Sequence, residues 1–322
     1  MSEEPLVSVI ILCYNQEATI ERTIKSILDQ QTNYRFEIII GEDASPDDNT
    51  RLICEKYAEM YPDIIHLMDK QSNKGLLRNY IDCIKKSRGK YLGVCAGDDW
   101  WHNPHKLNMQ VEFLESDNGF GLVFTDYRIV NVNVNSNTET FTSSKPLVID
   151  EKKMYQNLLK GNFISAGTVI FRKEIFCKYI DFDKFISLGF LMEDYPMWLE
   201  MVQHAKFKYM QVETTTYTIA EGSISNNKSS YEKTEKFENA VLDIKKYYLN
   251  KYPTNDITVK KLQELHHNFL ATNFIKDGHF ERAKYHSNFL VRTGFKGFVK
   301  FLICNTPFVN LYSSYLNKGT NG

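Results

Sequence analysis

The chain has 322 residues, enough for one large α/β core plus an appendage. Hydrophobic residues make up 43% and charged residues 25%, the proportions of an ordinary globular domain. Lys and Arg number 39 against 40 Asp and Glu, so the formal charge of −1 excludes the overall basic footprint of a nucleic-acid binder.

Taken in chain order, the first apolar run is Val7 to Leu12. It is rich in β-branched residues and reads as a buried parallel strand. After Tyr14 and Asn15, Ile20, Ile24, Ile27 and Leu28 recur at three- and four-residue spacing, the mark of an amphipathic helix. Phe36 to Ile40 is a second strand ending at Gly41-Glu42-Asp43. Ala44 to Asp48 is turn chemistry and opens a helix through about Tyr61. Ile64 to Met68 is a short third strand, Gly75 to Ser87 a helix and Tyr91 to Cys95 a fourth strand. This alternation predicts a mostly parallel sheet with helices on both faces. In such sheets ligands bind beyond the carboxyl ends of the strands, so Tyr14-Asn15, Asp43 and Asp98-Asp99 should face one crevice.

From Phe120 the pattern changes. Strands are expected at Gly121 to Tyr127, Ala166 to Phe171 and Phe207 to Val212, and helices at Lys152 to Lys160 and Pro196 to His204. Asn131 to Ser144 reads as a loop or exposed hairpin, and Ser223 to Ser230 as a polar linker. Beyond Tyr231 the chain reads as mostly helix. The expected division is a domain over 1–230, with halves 1–119 and 120–230, followed by a helical region over 231–322.

Four clusters carry chemistry. Gly97-Asp98-Asp99-Trp100-Trp101 sets two carboxylates directly after a strand, which suits a hard divalent cation bound partly by substrate phosphates. A solvated acidic turn that caps a helix has the same composition. Asp43 closes the second strand, where it can serve a nucleobase or ribose as an acceptor or act as a plain turn residue. Ser45 and Asp47 are the better capping candidates, leaving Asp43 freer for a ligand. In Asn73-Lys74-Gly75-Leu76-Leu77-Arg78-Asn79 the glycine permits close backbone approach, and Lys74 and Arg78 can meet phosphate or base. A glycine-opened surface helix has the same signature. Glu193-Asp194 precede an apolar helix, as a general base for an acceptor hydroxyl would, or as acids do at a helix start.

Together these segments resemble family 2 glycosyltransferases, in the family's order and over roughly residues 6 to 226. The resemblance rests on VSVIILCYNQEATIERTIKSILDQ, EDASPDDNT, NKGLLRN, AGDDWWHNPHKLNMQ and MEDYPMW. It implies a GT-A Rossmann-like fold and inverting transfer of a sugar from a nucleoside-diphosphate sugar, commonly UDP-linked, to an acceptor hydroxyl. It also implies Mn²⁺ or Mg²⁺ at Asp99 and Asp98. Donor contacts fall on Tyr14, Asn15, Glu17, Asp43, Lys74, Gly75, Arg78 and Asp98, and the base is Asp194 with Glu193 beside it. The implied acceptor is a glycan or lipid-linked glycan in surface polysaccharide synthesis. Two positions depart from the family's pattern. Ala96 stands where many relatives carry an acid, and Ala220 or Glu221 where many carry a His, so either the diphosphate supplies the remaining metal ligands or Glu221 substitutes for the His.

Two rival readings share parts of this pattern. A nucleotidyltransferase wants a Gly-rich phosphate loop near the N-terminus, and Leu12 to Gln16 has none. A catalytically inactive nucleotide-sugar-binding module of the same fold fits Ala96 and the missing His. The C-terminal stretches Lys296 to Ile303 and Phe308 to Leu316 mix aromatic, aliphatic and basic residues. They read either as a surface lying on a membrane or as a cap on the core or on a second subunit in a homodimer. The six cysteines form no CxxC pair and read as thiols of a cytoplasmic protein, which leaves peripheral contact at the inner face of the cell membrane open. The N-terminus reads as neither signal peptide nor membrane span.

Overall fold

The computed structural model describes residues 4–46, 48–69, 72–133, 138–143, 147–219 and 231–318. The chain divides into two compact units, Met1–Ala220 and Glu221–Gly322.

The first unit is built on a nine-stranded sheet. Its amino-terminal part is β1 (Val7–Cys13), β2 (Phe36–Glu42), β3 (Ile65–Leu67) and β4 (Tyr91–Ala96), all parallel, in the order β3-β2-β1-β4. Every residue of β1 is buried, as expected for a central strand covered on both faces. Its one polar side chain, Ser8, donates to Glu37 Oε1 at 2.6 Å and accepts from the Gly89 amide at 2.8 Å, so the hydroxyl is satisfied inside the sheet. The connecting helices are α1 (Ile20–Leu28), α2 (Thr50–Met60) and α3 (Leu76–Lys86). α1 buries Ile20, Ile24 and Ile27, the residues whose spacing announces it.

The sheet continues without a break past residue 120, but its parallel character does not. A two-residue strand, β5 (Trp100–Trp101), precedes α4 (Lys106–Ser116); β6 (Phe120–Asn133) and β7 (Thr138–Ser143) form a hairpin, and α5 (Met154–Lys160) follows. Then come β8 (Ile170–Arg172), α6 (Lys173–Tyr179), α7 (Phe182–Ser187), α8 (Asp194–Met201) and β9 (Lys206–Ile219). β8 joins β4 and β6 in antiparallel fashion, β6 and β9 run parallel, and β5 pairs antiparallel with the far end of β9.

Two expectations need correction. Ala166 to Phe171 is not one strand: Ala166–Thr168 is a 3₁₀ turn, and only Ile170–Arg172 pairs with neighbours. β6 and β9 each run to 14 residues, well beyond the expected lengths, because they pair with each other from Phe120 beside Lys206 as far as Asn131 beside Ile219. α8 is buried on every side from Tyr195 to Met201, which erases the two-faced pattern that marks a surface helix.

The second unit is helical: α9 (Tyr231–Lys251), α10 (Val259–Lys276), α11 (Phe280–Ser287), α12 (Phe295–Cys304) and α13 (Phe308–Lys318). Leu270, Phe274, Ile275, Ala283, Cys304 and Val309 form its core. Among the described residues no helix is long and apolar enough to cross a membrane.

Candidate active site

The loops that leave β1, β2 and β4 are stitched together at the carboxyl edge of the sheet. The Asp43 amide donates to the Cys13 carbonyl at 3.0 Å and the Gly97 amide to the Leu12 carbonyl at 2.9 Å. The Asn15 amide donates to Ser45 Oγ at 2.9 Å, and the Gln16 amide to Thr50 Oγ1 at 2.7 Å. Asn15 and Ala44 both hold positive φ, 52° and 58°. For residues with a Cβ that conformation costs about 1–2 kcal/mol each, which the cross-links must offset.

Asp43 is not the free ligand group that its place in the sequence suggests. Its carboxylate accepts from the Lys74 amide at 2.8 Å and the Gly75 amide at 2.9 Å, and its carbonyl accepts from Asn73 Nδ2 at 3.0 Å. The acid thereby binds the Asn73-Lys74-Gly75 turn to the end of β2. Helix capping falls to other groups: Asp48 Oδ1 accepts from the Thr50 amide at 3.0 Å, and Ser45 serves Asn15 instead. Asp47 lies outside the described residues. Glu17 accepts from Asn49 Nδ2 at 2.7 Å and from the Asn49 amide at 3.1 Å, placing a carboxylate at the amino end of α2, where the helix dipole favours it. Tyr14 is exposed at the crevice rim. Arg78 is exposed and lines, with Lys74, Asp82, Lys173 and Phe182, a groove of about 1090 Å³ between α3, α6 and α7. Neither Asp98 nor Glu193 is among the residues that line that groove.

The two adjacent carboxylates after β4 differ in role. Asp99 is buried; its Oδ1 accepts from the Thr218 amide at 2.8 Å, and its carbonyl accepts from Thr23 Oγ1 at 2.6 Å. Burial, with the Asp98 charge added, pushes the Asp99 carboxyl well above the usual range. Asp98 is half-buried, and Gln16 donates to it; burial raises its carboxyl, and that hydrogen bond partly offsets the rise. Thr218 Oγ1 also holds the Asp98 carbonyl, so β9 clamps the whole turn. The geometry thus distinguishes the two acids: Asp98 is the more exposed and Asp99 is buried. Among the described residues no group of three or more His, Cys, Asp or Glu side chains could hold a metal by itself. Ala220 and Glu221, the positions in question for a third ligand, lie outside the described residues.

The second pair of acids opens α8. Asp194 Oδ1 accepts from the Tyr195 amide at 2.6 Å and Oδ2 from Asn162 Nδ2 at 3.1 Å. Glu193 is half-buried, and burial, with the Asp194 charge added, pushes its carboxyl up to about 8. Burial raises Asp194 as well, but its two hydrogen bonds favour the ionised form. Of the two, Asp194 is the better placed to hold a charge, because its hydrogen bonds stabilise the carboxylate.

The two acidic sites are neighbours. The Tyr80 ring of α3 is buried and lies within electrostatic reach of the Glu193 and Asp194 carboxyls. A Cβ at Gly167 would lie 3.9 Å from Asp99 Oδ2, and Asn162, five residues earlier, holds Asp194. A five-residue step spans at most about 18 Å. The short stretch Asn162 to Gly167 therefore ties the acids before α8 to those after β4.

Residues 8–180 match the family model described as glycosyl transferase family 2, more than half of the chain. The chain belongs to glycosyl transferase family 2. An uncharacterised protein of Mycobacterium tuberculosis is 32% identical over 167 residues, covering 52% of this chain. That alignment covers 47% of the mycobacterial protein, so the chain spans about half the length of the first curated relatives it matches. The Escherichia coli UDP-Glc:alpha-D-GlcNAc-diphosphoundecaprenol beta-1,3-glucosyltransferase WfgD is 28% identical, over 70% of this chain and 82% of its own. Among solved structures, the mannosyltransferase PcManGT from Pyrobaculum calidifontis, in complex with GDP-Man and Mn²⁺, superposes with a TM-score of 0.58. It is 13% identical and covers 97% of this chain and 84% of its own, which shows a shared GT-A fold.

Within this family 2 chain, several residues that build the site escape a reading by motif. Gln16, Asn162 and Thr218 are single polar residues in unremarkable surroundings. Only Gln16 carries a signal, since it belongs to the loop after the first strand. Asn79 is legible as part of the NKGLLRN segment, but its role is structural: its Nδ2 donates to the Gly41 carbonyl at 2.8 Å and ties α3 to β2.

Proposed function

We propose that this chain transfers a sugar from a nucleoside-diphosphate sugar to an acceptor hydroxyl by single displacement with inversion. The observation that carries the reading is the Glu193–Asp194 pair, in which Asp194 accepts two hydrogen bonds that favour its ionised form while burial and that neighbouring charge push Glu193 up to about 8. A site of that kind offers one base and no second charge to repel an anionic donor. Asp194 takes the proton of the acceptor hydroxyl as the oxygen attacks the anomeric carbon. The bond to the leaving diphosphate breaks on the opposite side, which inverts the centre.

The donor would lie along the carboxyl edge of β1, β2 and β4, against Tyr14, Asn15 and the Asn73-Lys74-Gly75 turn that Asp43 holds, with Lys74 and Arg78 toward its phosphates. A divalent Mn²⁺ or Mg²⁺ fits the oxygen donors present: Asp98 faces outward, and such ions commonly complete their shell with substrate phosphates and water. Asp98 would hold the ion and Asp99 would support the turn from behind; when bound, the ion supplies neutralisation of charge on the leaving diphosphate. UDP is the favoured nucleotide, supported by the UDP-Glc named for WfgD; the GDP-Man named for PcManGT keeps GDP in view. The diphosphoundecaprenol acceptor named for WfgD supports a lipid-linked glycan as acceptor, surface polysaccharide synthesis as the setting and the cytoplasmic face of the membrane as the place.

The test uses Asp194→Asn and Asp98→Asn. Asp194→Asn is expected to lose at least 100-fold in transfer while thermal shift by UDP-sugar is kept, the scale typical of a removed general base. Asp98→Asn is expected to lose the Mn²⁺-dependent part of that shift. Normal transfer by Asp194→Asn would overturn the base assignment. Donor binding with no turnover by the unaltered protein, over a panel of lipid-linked acceptors, would favour the inactive binding module, a reading that Ala96 supports.

A further inference from the structure

Charge is segregated along this chain. From Arg282 to Gly322 there are six Lys and Arg and no Asp or Glu, whereas residues 1–281 carry 33 basic and 40 acidic side chains. Among the six, Lys284, Arg292 and Lys296 are exposed; Arg282 pairs with Glu235, and Lys300 donates to Asn268 and Thr272.

The same stretch exposes large apolar side chains in register. On α12 they are Phe295, Phe298 and Leu302, and on α13 Phe308, Leu311 and Tyr315. Both sets follow the spacing i, i+3, i+7, which lines one face of a helix. α13 carries a second set at the same spacing, Val309, Tyr312 and Leu316, and that set packs into the core of the helical unit. Its outer stripe is therefore surplus to folding. Phe295 is 82% exposed, Phe308 65%, Leu311 69% and Tyr315 72%, values at which each ring or chain meets water over most of its surface. Contiguous apolar exposure of this kind marks a docking surface.

We propose that the outer face of α12 and α13 docks in the plane of an anionic phospholipid bilayer. Two observations select this occupant. The exposed charges around the stripes are all cationic along the chain from residue 282 on, which complements anionic headgroups and would set like charges against each other across a self-contact between two copies. The helices have 10 and 11 residues, about 15–17 Å, half of what a bilayer core requires, so they lie in the interface and do not span it. Tyr315 and the phenylalanines suit the headgroup level, where aromatic rings collect. The proposal stands on this surface alone and does not depend on the transfer reaction.

The experiment is flotation of the full chain with vesicles of phosphatidylcholine containing about a third phosphatidylglycerol, beside vesicles of phosphatidylcholine alone. The unaltered protein is expected to float with the anionic vesicles, to float at least tenfold less with the neutral ones, and to be released by 0.5 M salt. Phe295→Ser/Phe308→Ser/Leu311→Ser is expected to abolish flotation. Arg292→Gln/Lys296→Gln is expected to weaken it roughly twenty-five-fold, about fivefold per cation. Circular dichroism melts matching the parent show that each variant is folded. Failure of the parent to float with anionic vesicles overturns the proposal. So does a dimer in sedimentation that the serine variant dissociates while flotation is unchanged, because the stripe would then belong to a second copy. Neither result bears on sugar transfer, which is read separately with a water-soluble acceptor.

Discussion

At Glu193 and Asp194 two carboxyl groups compete for charge, and the hydrogen bonds decide which of them holds it better. Asn162 and the Tyr195 amide serve Asp194, whereas Glu193 is pushed up to about 8 by burial and by its neighbour's charge. A folded-state value raised above the unfolded one means that the folded chain holds the extra proton between about pH 4.5 and 8, and stability falls as pH rises through that window. Glu193→Gln removes the cost. It is expected to raise the melting temperature by a few degrees at pH 8.5 and to leave it unchanged at pH 4, as read by circular dichroism. The same variant should lack the inflection near pH 8 in the kcat/KM profile of the parent, because no second charge then forms beside the base. An inflection that survives in the variant would assign it to another group. The residue types at the site were legible in the sequence because chemistry restricts them: paired acids after a strand and before a helix have few uses. Their orientations were not. Asp98 and Asp99 are chemically identical, and only the Thr218 amide, 119 residues further on, turns Asp99 inward. Asp43 likewise reads as a free acceptor until α3 brings the Lys74 and Gly75 amides to it.

α3 shows how an element sets the site. It begins at Gly75, whose φ of 78° and ψ of 160° belong to a region that side chains strongly disfavour. That backbone bend aims two successive amides at Asp43. The helix then lies close against β2: a Cβ at Gly41 would meet Cys83 Sγ at 2.5 Å and Asn79 Oδ1 at 2.7 Å. Gly75→Ala meets no neighbouring atom, so its cost is conformational, about 1–3 kcal/mol. It is expected to release the turn and weaken donor binding more than it lowers the melting temperature. Gly41→Ala is expected to do the reverse, since displacing α3 overpacks the core at a cost of about 1–3 kcal/mol. Melting curves and nucleotide titrations on both variants check this, and equal ratios of the two losses would contradict it. Elements with two-faced or wholly apolar patterns, such as α1 and β1, were legible because periodicity reports burial directly. β5, α6 and α7 were not, because short elements of two to seven residues hold too few periods to register. The turn Ala166–Thr168 reads as strand by composition, but Lys106 Nζ and Gln110 Nε2 both take the Thr168 carbonyl from within the core and stop a ladder from forming there.

The two units differ in the balance of groups that respond to pH. In the sheet unit Glu193 loses stability as pH rises. In the helical unit three histidines from α10 and α11 meet: His267 Nδ1 lies 2.9 Å from His286 Nδ1, and His286 Nε2 lies 2.6 Å from Glu235 Oε1 of α9. A neutral His286 that donates to Glu235 must accept at Nδ1, so His267 is the donor between the rings. A proton added at His286 Nδ1 sets two donors face to face. His266 packs beside both rings, and Lys245 and Lys246 of α9 and Arg282 of α11 bring further positive charge. Burial first, then the neighbouring histidines and after them the α9 lysines, hold His266 and His267 down at about 4; burial also lowers His286, although Glu235 partly restores it. For a histidine depressed on folding, the unfolded chain binds more protons below about pH 6.5, so stability falls as pH drops from 6.5 toward 4. Acidification from pH 7 to pH 5 is therefore expected to weaken the helical unit more than the sheet unit, where the gain at Glu193 opposes the loss at the half-buried His102, itself held down at about 4. Hydrogen exchange followed by mass spectrometry reads the two separately: amides of α10 and α11 should lose protection, after correction for the intrinsic rate, while those of β1, β2 and β4 hold theirs. His267→Gln keeps a polar donor without the titration and should remove a large part of the loss. Parallel loss in both units, or an undiminished loss in the variant, would place the acid sensitivity elsewhere than in this cluster.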